Sequence, residues 1–199
     1  MKFKLFIIIP FLFLACDDSE EISTETESLS QKEIDHLQFL KEEEKLARDV
    51  YLFSYDLYGH NIFNNISKSE QIHMNSVTVI LEKYDIKDLS VDERGEFTNN
   101  ELQKLYDDLT DLSKQSLADA FIAGATIEDL DINDLDSFIR DTDYLDIEDM
   151  YNKLNCGSAN HLRAYIGVLE TMDVQYISQF ISEEEFNSIL ESSGGNCNN

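Results

Sequence analysis

The sequence predicts an all-α protein: a four-helix bundle with extra short helices. Three observations carry this. The chain of 199 residues has a single proline, Pro10, and none beyond it, so no helix after that point is interrupted by a missing N–H. Alternating strand-like runs are scarce. Apolar residues recur instead at spacings of three and four, the period of an amphipathic helix.

The N-terminus stands apart from that pattern. Met1-Lys2-Phe3-Lys4 is basic, and the stretch from Leu5 to Ala15 carries no charge. It is too short for a membrane-spanning helix, which needs about 20 residues, and reads as a targeting signal. It ends Phe13-Leu14-Ala15-Cys16, which resembles the lipobox of bacterial lipoproteins, although the box more commonly opens on Leu than on Phe. The resemblance implies a signal peptide over 1–15, lipidation of Cys16 as the new N-terminus, and a membrane anchor rather than a span. The folded part is then expected outside the cytoplasm, as a cell-envelope lipoprotein facing the periplasm or the surface. Residues 16–30 are acidic and aperiodic, which predicts a disordered tether. The run Asp17-Asp18-Ser19-Glu20-Glu21 reads either as a solvated tether or, by resemblance to some Gram-negative lipoproteins, as a surface-export signal.

Loss of Lys2 and Lys4 with the signal leaves 13 basic against 41 acidic side chains, a formal charge of −28. Such a surface repels nucleic acid and suits cations. The roughly 170 remaining residues fit one domain, read as 31–192 with a flexible tail over 193–199. Of the three cysteines, Cys156 and Cys197 are left once Cys16 is acylated. An oxidising compartment permits a disulfide between them, and two independent thiols are the alternative.

The helices follow in order. The first is expected from Ser30 to about Tyr58, stopped by Gly59. The second is expected from Ser67, where Ser67-Lys68-Ser69-Glu70 reads as a capping box, to about Tyr84. A polar linker covers 85–97 and a shorter helix about 99–112. Long helices cover about 116–139 and 146–172, and a short one about 182–192, opened by Ser182 with Glu185 as its capping partner.

The inward stripes of the four long helices share one property. They read Leu37, Leu40, Glu44, Ala47, Tyr51 and Tyr58; Ile66, Glu70, His73, Val77, Ile80 or Leu81 and Tyr84; Leu117, Phe121, Gly124, Glu128, Asp131, Leu135 and Phe138; and Ile147, Tyr151, Leu154, Ser158, His161, Tyr165 and Val168. Each is apolar at both ends and polar in the middle, without Lys or Arg. A buried carboxylate must be paired or bound to metal, and with no cationic side chain on the stripes the compensating charge points to a divalent metal ion. Carboxylate and imidazole ligands suit iron, manganese or zinc. The set is Glu44, Glu70, His73, Glu128, Asp131 and His161, with Glu43 as the substitute for Glu44. Glu70-Gln71-Ile72-His73 is Glu-x-x-His, two ligand types one turn apart on one helix face. Asp129-x-Asp131-x-Asn133 opens like an EF-hand, but Asp134 and Arg140 occupy the positions that need Gly and Glu, so a calcium loop is excluded. Tyr51, Tyr55, Tyr151 and Tyr165 read as core aromatics, with Tyr51 or Tyr165 able to reach a ligand. Ser158 reads as a small packing residue.

Glu44-Lys45-Leu46-Ala47-Arg48-Asp49-Val50-Tyr51 resembles the first-helix signature of rubrerythrin-type ferritin-like proteins, and Phe63, Ile66 and Glu70-x-x-His73 resemble their second helix. The motifs EEEKLARDVY (42–51), SEQIHM (69–74), GATIEDLDINDL (124–135) and GSANHLRAY (157–165) more closely resemble an uncharacterised bacterial ferritin-like family, the domain of unknown function numbered twenty-two oh two, over roughly 35–190. The resemblance implies a ferritin-like four-helix bundle holding iron, up to two ions, with oxidation of Fe(II) or reduction of peroxide or dioxygen as the chemistry. The ferritin pattern wants Glu-x-x-His on the last long helix, where this chain has Ser158-Ala159-Asn160-His161. Asp131, one turn beyond Glu128, is the candidate replacement. A metal-free cell-envelope interaction or spacer module is the other reading. Homo-oligomerisation is left open.

Overall fold

The computed structural model describes residues 28–197. The signal segment, Cys16 and most of the acidic tether lie outside them. Six α-helices and no strands occur among the described residues: α1 (Gln31–Tyr58), α2 (Asn61–Lys83), α3 (Asn100–Ser113), α4 (Leu117–Asp141), α5 (Leu145–Thr171) and α6 (Glu183–Glu191). The all-α expectation holds. None of these helices is long and apolar enough to cross a membrane.

Local chemistry sets most of the ends. Ser30 and Glu33 form a reciprocal capping box at the start of α1: Ser30 Oγ accepts from Glu33 N, and Glu33 Oε2 accepts from Ser30 N at 2.9 Å. Gly59 ends α1 in the left-handed region, at φ +63°, and donates to Tyr55 O. Ser116 and Ser182 cap α4 and α6 by accepting from Asp119 N and Glu185 N.

One boundary is corrected. α2 begins at Asn61, six residues before the expected Ser67, and its N-cap is His60. Ser67 Oγ donates back to Asn64 O within the helix. The reason is tertiary: Phe63 is fully buried and stacks on Phe121, ring centroids 4.7 Å apart. That burial extends α2 back to a two-residue turn after α1.

The long helices pack α1 on α2, α4 on α5, α1 on α4 and, more thinly, α2 on α5, while α3 lies against α1 and α4. Two apolar clusters result. One, at the Tyr51 end, contains Val50, Phe63, Phe121, Leu162 and Tyr165. The other contains Leu37, Leu40, Val77, Leu81, Leu135 and Leu154. Each buried side chain of this size contributes roughly 2 kcal/mol. Between the clusters lies the polar layer the stripes predict.

Buried acids tie the irregular segments to this frame. Glu42 accepts from Thr98 N, Thr98 Oγ1 and Asn99 N at 2.7–3.0 Å. Asp49 pairs with Lys45 at 2.8 Å and accepts from Gly95 N at 3.0 Å. Asp129 accepts from Tyr176 Oη at 2.8 Å and Ile181 N at 2.9 Å, which holds the segment before α6. The tail, expected to be flexible, lies against α5 as far as Cys197. Asn160 accepts from Gly195 N and donates to Gly195 O. The Cys156 and Cys197 sulfurs are bonded, with Cα atoms 5.6 Å apart.

Candidate metal centre

Five of the six expected ligands meet in the polar layer. α1 supplies Glu44, α2 Glu70 and His73, α4 Glu128 and α5 His161. Glu44, Glu70 and Glu128 are each 2% exposed or less. They form two groups of three, Glu44–Glu70–His73 and Glu70–Glu128–His161, each with one ligand atom per residue and all those atoms within 4.8 Å of one another.

Glu70 belongs to both groups and divides its oxygens between them. Its Oε2 lies 2.8 Å from His73 Nδ1, and its Oε1 lies 2.9 Å from His161 Nδ1. Glu44 Oε2 is 3.2 Å from His73 Nδ1, and Glu128 Oε2 is 3.5 Å from His161 Nδ1. Although His161 Nδ1 and Glu70 Oε1 are close, neither makes an aligned hydrogen bond, and Glu44 Oε1 is likewise buried without a partner. Buried polar atoms are rarely left so. His73 Nδ1 and Glu44 Oε2 do share a hydrogen bond at 3.2 Å, but the converging atoms that lack one, Glu44 Oε1, Glu70 Oε1 and His161 Nδ1, fit a cation held between them. Hard carboxylate oxygens, imidazole nitrogens and no thiolate match iron, manganese or zinc.

The surroundings orient the ligands. Tyr51 Oη donates to Glu128 Oε1 at 2.6 Å. Ser69 Oγ sits 3.0 Å from His161 Nε2, so that with Nε2 as donor, Nδ1 presents its lone pair to the centre. A Cβ on Gly157 would lie 2.7 Å from His73 Nε2, so glycine is what lets that ring seat against α5.

The charge balance is that of a site holding protons. Burial raises the Glu44 carboxyl to about 7, with His73 opposing it. Burial also works to raise Glu70, but His161 and His73 outweigh it and hold Glu70 below the usual range. Burial would lower both histidines; the carboxylates win, taking His161 up to about 10 and His73 well above its ordinary value. A metal ion would have to displace these protons.

Asp131 stands outside both groups. One oxygen accepts from Ser158 Oγ, and Oδ1 is buried without a partner. Ser158, read as packing, is thus a hydrogen-bond donor to the acid expected to replace its missing carboxylate. Glu43 does not stand in for Glu44. It is equally buried and its charged neighbours are Asp131 and Asp134 of α4. Arg48 pairs with Asp49 and donates to Gln71, leaving Glu44 to the centre.

Residues 33–193 match the family model described as an uncharacterized protein domain, DUF2202. The chain belongs to this family. A DUF2202 relative, the uncharacterized protein MJ0754 of Methanocaldococcus jannaschii, is 45% identical over 166 residues, which cover 83% of this chain and 90% of that protein. The crystal structure of hypothetical protein MJ0754 superposes with a TM-score of 0.83 at 44% identity, over 87% of this chain and 99% of that one.

Proposed function

We propose that this DUF2202 chain is a ferritin-like, dinuclear metal protein of the cell envelope, held to the membrane by lipid on Cys16. The observation that supports it is Glu70, a buried carboxylate with one oxygen in each of two Glu/His groups. Glu44 and His73 would hold one ion, Glu128 and His161 the other, and Glu70 would bridge them. Iron bound there would supply one-electron chemistry with dioxygen or peroxide.

The chain's own residues set the conditions for that chemistry. The apolar clusters on either side exclude bulk water. Tyr51 and Ser69 fix Glu128 and His161. The two histidines are the ligands with some exposure, at 10% and 11% of the side chain, which marks the α2–α5 side as the one from which a small molecule would approach. The cysteines are Cys16, Cys156 and Cys197, with no Cys-x-x-Cys pair to deliver electrons. That favours oxidation, storage or sensing of Fe(II) as substrate over peroxide reduction.

The test is metal content. The chain, purified without chelator or affinity metal and offered Fe(II), Mn(II) and Zn(II) in turn, is expected to hold about two ions per chain. Fewer than about one ion per five chains for every metal would leave the metal-free envelope module as the reading. Consumption of dioxygen with added Fe(II) then separates an oxidase from a store.

A further inference from the structure

Among the described residues, α2 packs on α1 and, more thinly, on α5, and its third side is left open. The positions on that side, Asn65, Lys68, Ile72, Asn75, Val79 and Glu82, are all exposed. They recur at alternating steps of three and four, the seam period of a coiled coil. Ile72 is 64% exposed and Val79 62%, which places them among the most exposed large apolar side chains. One exposed apolar residue needs no explanation, but these two stand one heptad apart in the middle of one seam.

Charge singles out the same seam. The chain has 41 acids and a net charge of −26, yet from Asn61 to Lys83 the acids are Glu70, which is buried, and Glu82. Two copies meeting on this face repel each other little. Lys32, Lys83, Lys104, Lys114 and Lys153 each pair with an acid of their own chain. The Lys68 ammonium and the Glu82 carboxylate have no such partner among the described residues. The seam is also complementary to itself. Read in the opposite direction, Glu82 falls opposite Lys68, Val79 opposite Ile72, and Asn75 opposite Asn75. An antiparallel pair therefore makes two Lys–Glu contacts around a centre of two Ile and two Val. A parallel pair would set Lys68 on Lys68 and Glu82 on Glu82. A polar residue in the middle of such a seam, as Asn75 is, fixes register.

We propose that the outer face of α2 is an interface with a second copy of this chain, packed antiparallel across a two-fold axis at Asn75. The seam from Asn65 to Glu82 is about 27 Å long. Two such seams bury less than about 1,200 Å² in all, the range of weak and reversible association. The pair needs no metal and does not rest on the dinuclear reading. Glu70 and His73 lie on the inner face of the same helix, so the pair sets the two candidate centres back to back.

The experiment is sedimentation velocity of the full chain over a concentration series, with a dimer dissociation constant of about 10–100 μM expected. Ile72→Ser/Val79→Ser is expected to weaken the dimer by about 100-fold, on the scale of apolar anchors lost from an interface centre. Lys68→Glu sets acid against Glu82 at both ends and is expected to weaken it about tenfold. Glu82→Lys sets lysine against lysine and is expected to weaken it similarly, although it lowers the overall repulsion between copies. Lys68→Glu/Glu82→Lys keeps the wild-type net charge, remakes both pairs in reverse, and is expected to restore the wild-type constant within about twofold. All four positions are exposed, so an unchanged melting temperature checks that each variant is folded. A wild-type chain that stays monomeric up to about 500 μM overturns the interface. A dimer that Ile72→Ser/Val79→Ser leaves intact lies on another face and overturns it as well. A reversed pair no tighter than Lys68→Glu alone overturns the antiparallel register.

Discussion

Glu70 is the residue on which the two groups depend, because each of its oxygens faces a different histidine. Glu70→Ala should therefore lower affinity for both ions, by about 100-fold or more for a lost ligand, whereas Asp131→Asn should leave the content near two. Isothermal titration on the stripped variants checks this, and a Glu70→Ala variant that retains two tight ions removes the bridge. The protonation pattern gives a second expectation. His161 is raised on folding from 6.5 to about 10, so it stabilises the metal-free fold fully below pH 6.5 and loses that contribution as pH rises through 10. Glu44 is raised from 4.5 to about 7, so its ionisation costs the fold stability as pH rises from 4.5 through 7. Both act in the same direction. The melting temperature of the chelator-treated protein should fall as pH is raised from 6.5 to 10, and the metal-loaded protein should not show the decline. Metal affinity should weaken below pH 7 as protons compete for the ligands. At this scale the stripes located Glu44, Glu70, His73, Glu128 and His161, which meet in two groups, because these positions share the core period. They could not sort Glu42, Glu43 and Glu44. All three are buried, since α1 has neighbours in α2, α3 and α4 and its buried arc is wider than a single stripe.

The helices position those side chains through contacts with no sequence periodicity of their own. Gly157 is one. Glycine to alanine in a helix normally gains about 1 kcal/mol, but the new Cβ would meet His73 Nε2 at 2.7 Å, and overpacking costs about 1–3 kcal/mol. Gly157→Ala is thus expected to lower, not raise, the melting temperature and to weaken the Glu44–Glu70–His73 side of the centre more than the other. A stabilised variant with unchanged metal titration would show that the ring has room to move. Asp129 is another. It accepts from Tyr176, Gln179 and Ile181, so Asp129→Ala leaves several buried donors unpaired, at about 3 kcal/mol. Limited proteolysis should then cut between α5 and α6, where the wild-type chain resists. Neither contact is legible in the sequence, because each pairs residues far apart in the chain: Gly157 with His73, and Asp129 with the segment from Tyr176 to Ile181. The start of α2 failed for a related reason. Ser67 to Glu70 has the local form of a capping box, but Phe63 packing on Phe121 decided the boundary, and that pairing spans two helices. The start of α1 and its stop at Gly59, where cap chemistry is local, came out as expected.

For the whole molecule, charge and covalent closure act together. A net charge of −26 sets acidic surface against itself, which destabilises the compact state. The core must offset this, and the tail, with α6 contributing no buried residue, adds little packing. The Cys156–Cys197 bond, joining residues 41 apart, closes that end covalently. A loop of this length restricts the unfolded chain by about 4 kcal/mol in the chain-entropy account. Cys197→Ser should accordingly lower the melting temperature by up to about 10 °C, and the same loss should appear in wild-type protein under reductant. The bond leaves α5 one residue before Gly157, so its removal also frees the turn against which His73 rests. The expected signature is a loss of stability larger in the metal-free protein than in the loaded one, because ions bound as proposed would hold α2 and α5 together from the other side. Equal losses in both forms would show that the tail closes the fold without bracing the centre. No loss under reductant would show that the thiols are not joined in solution, the alternative of two independent thiols.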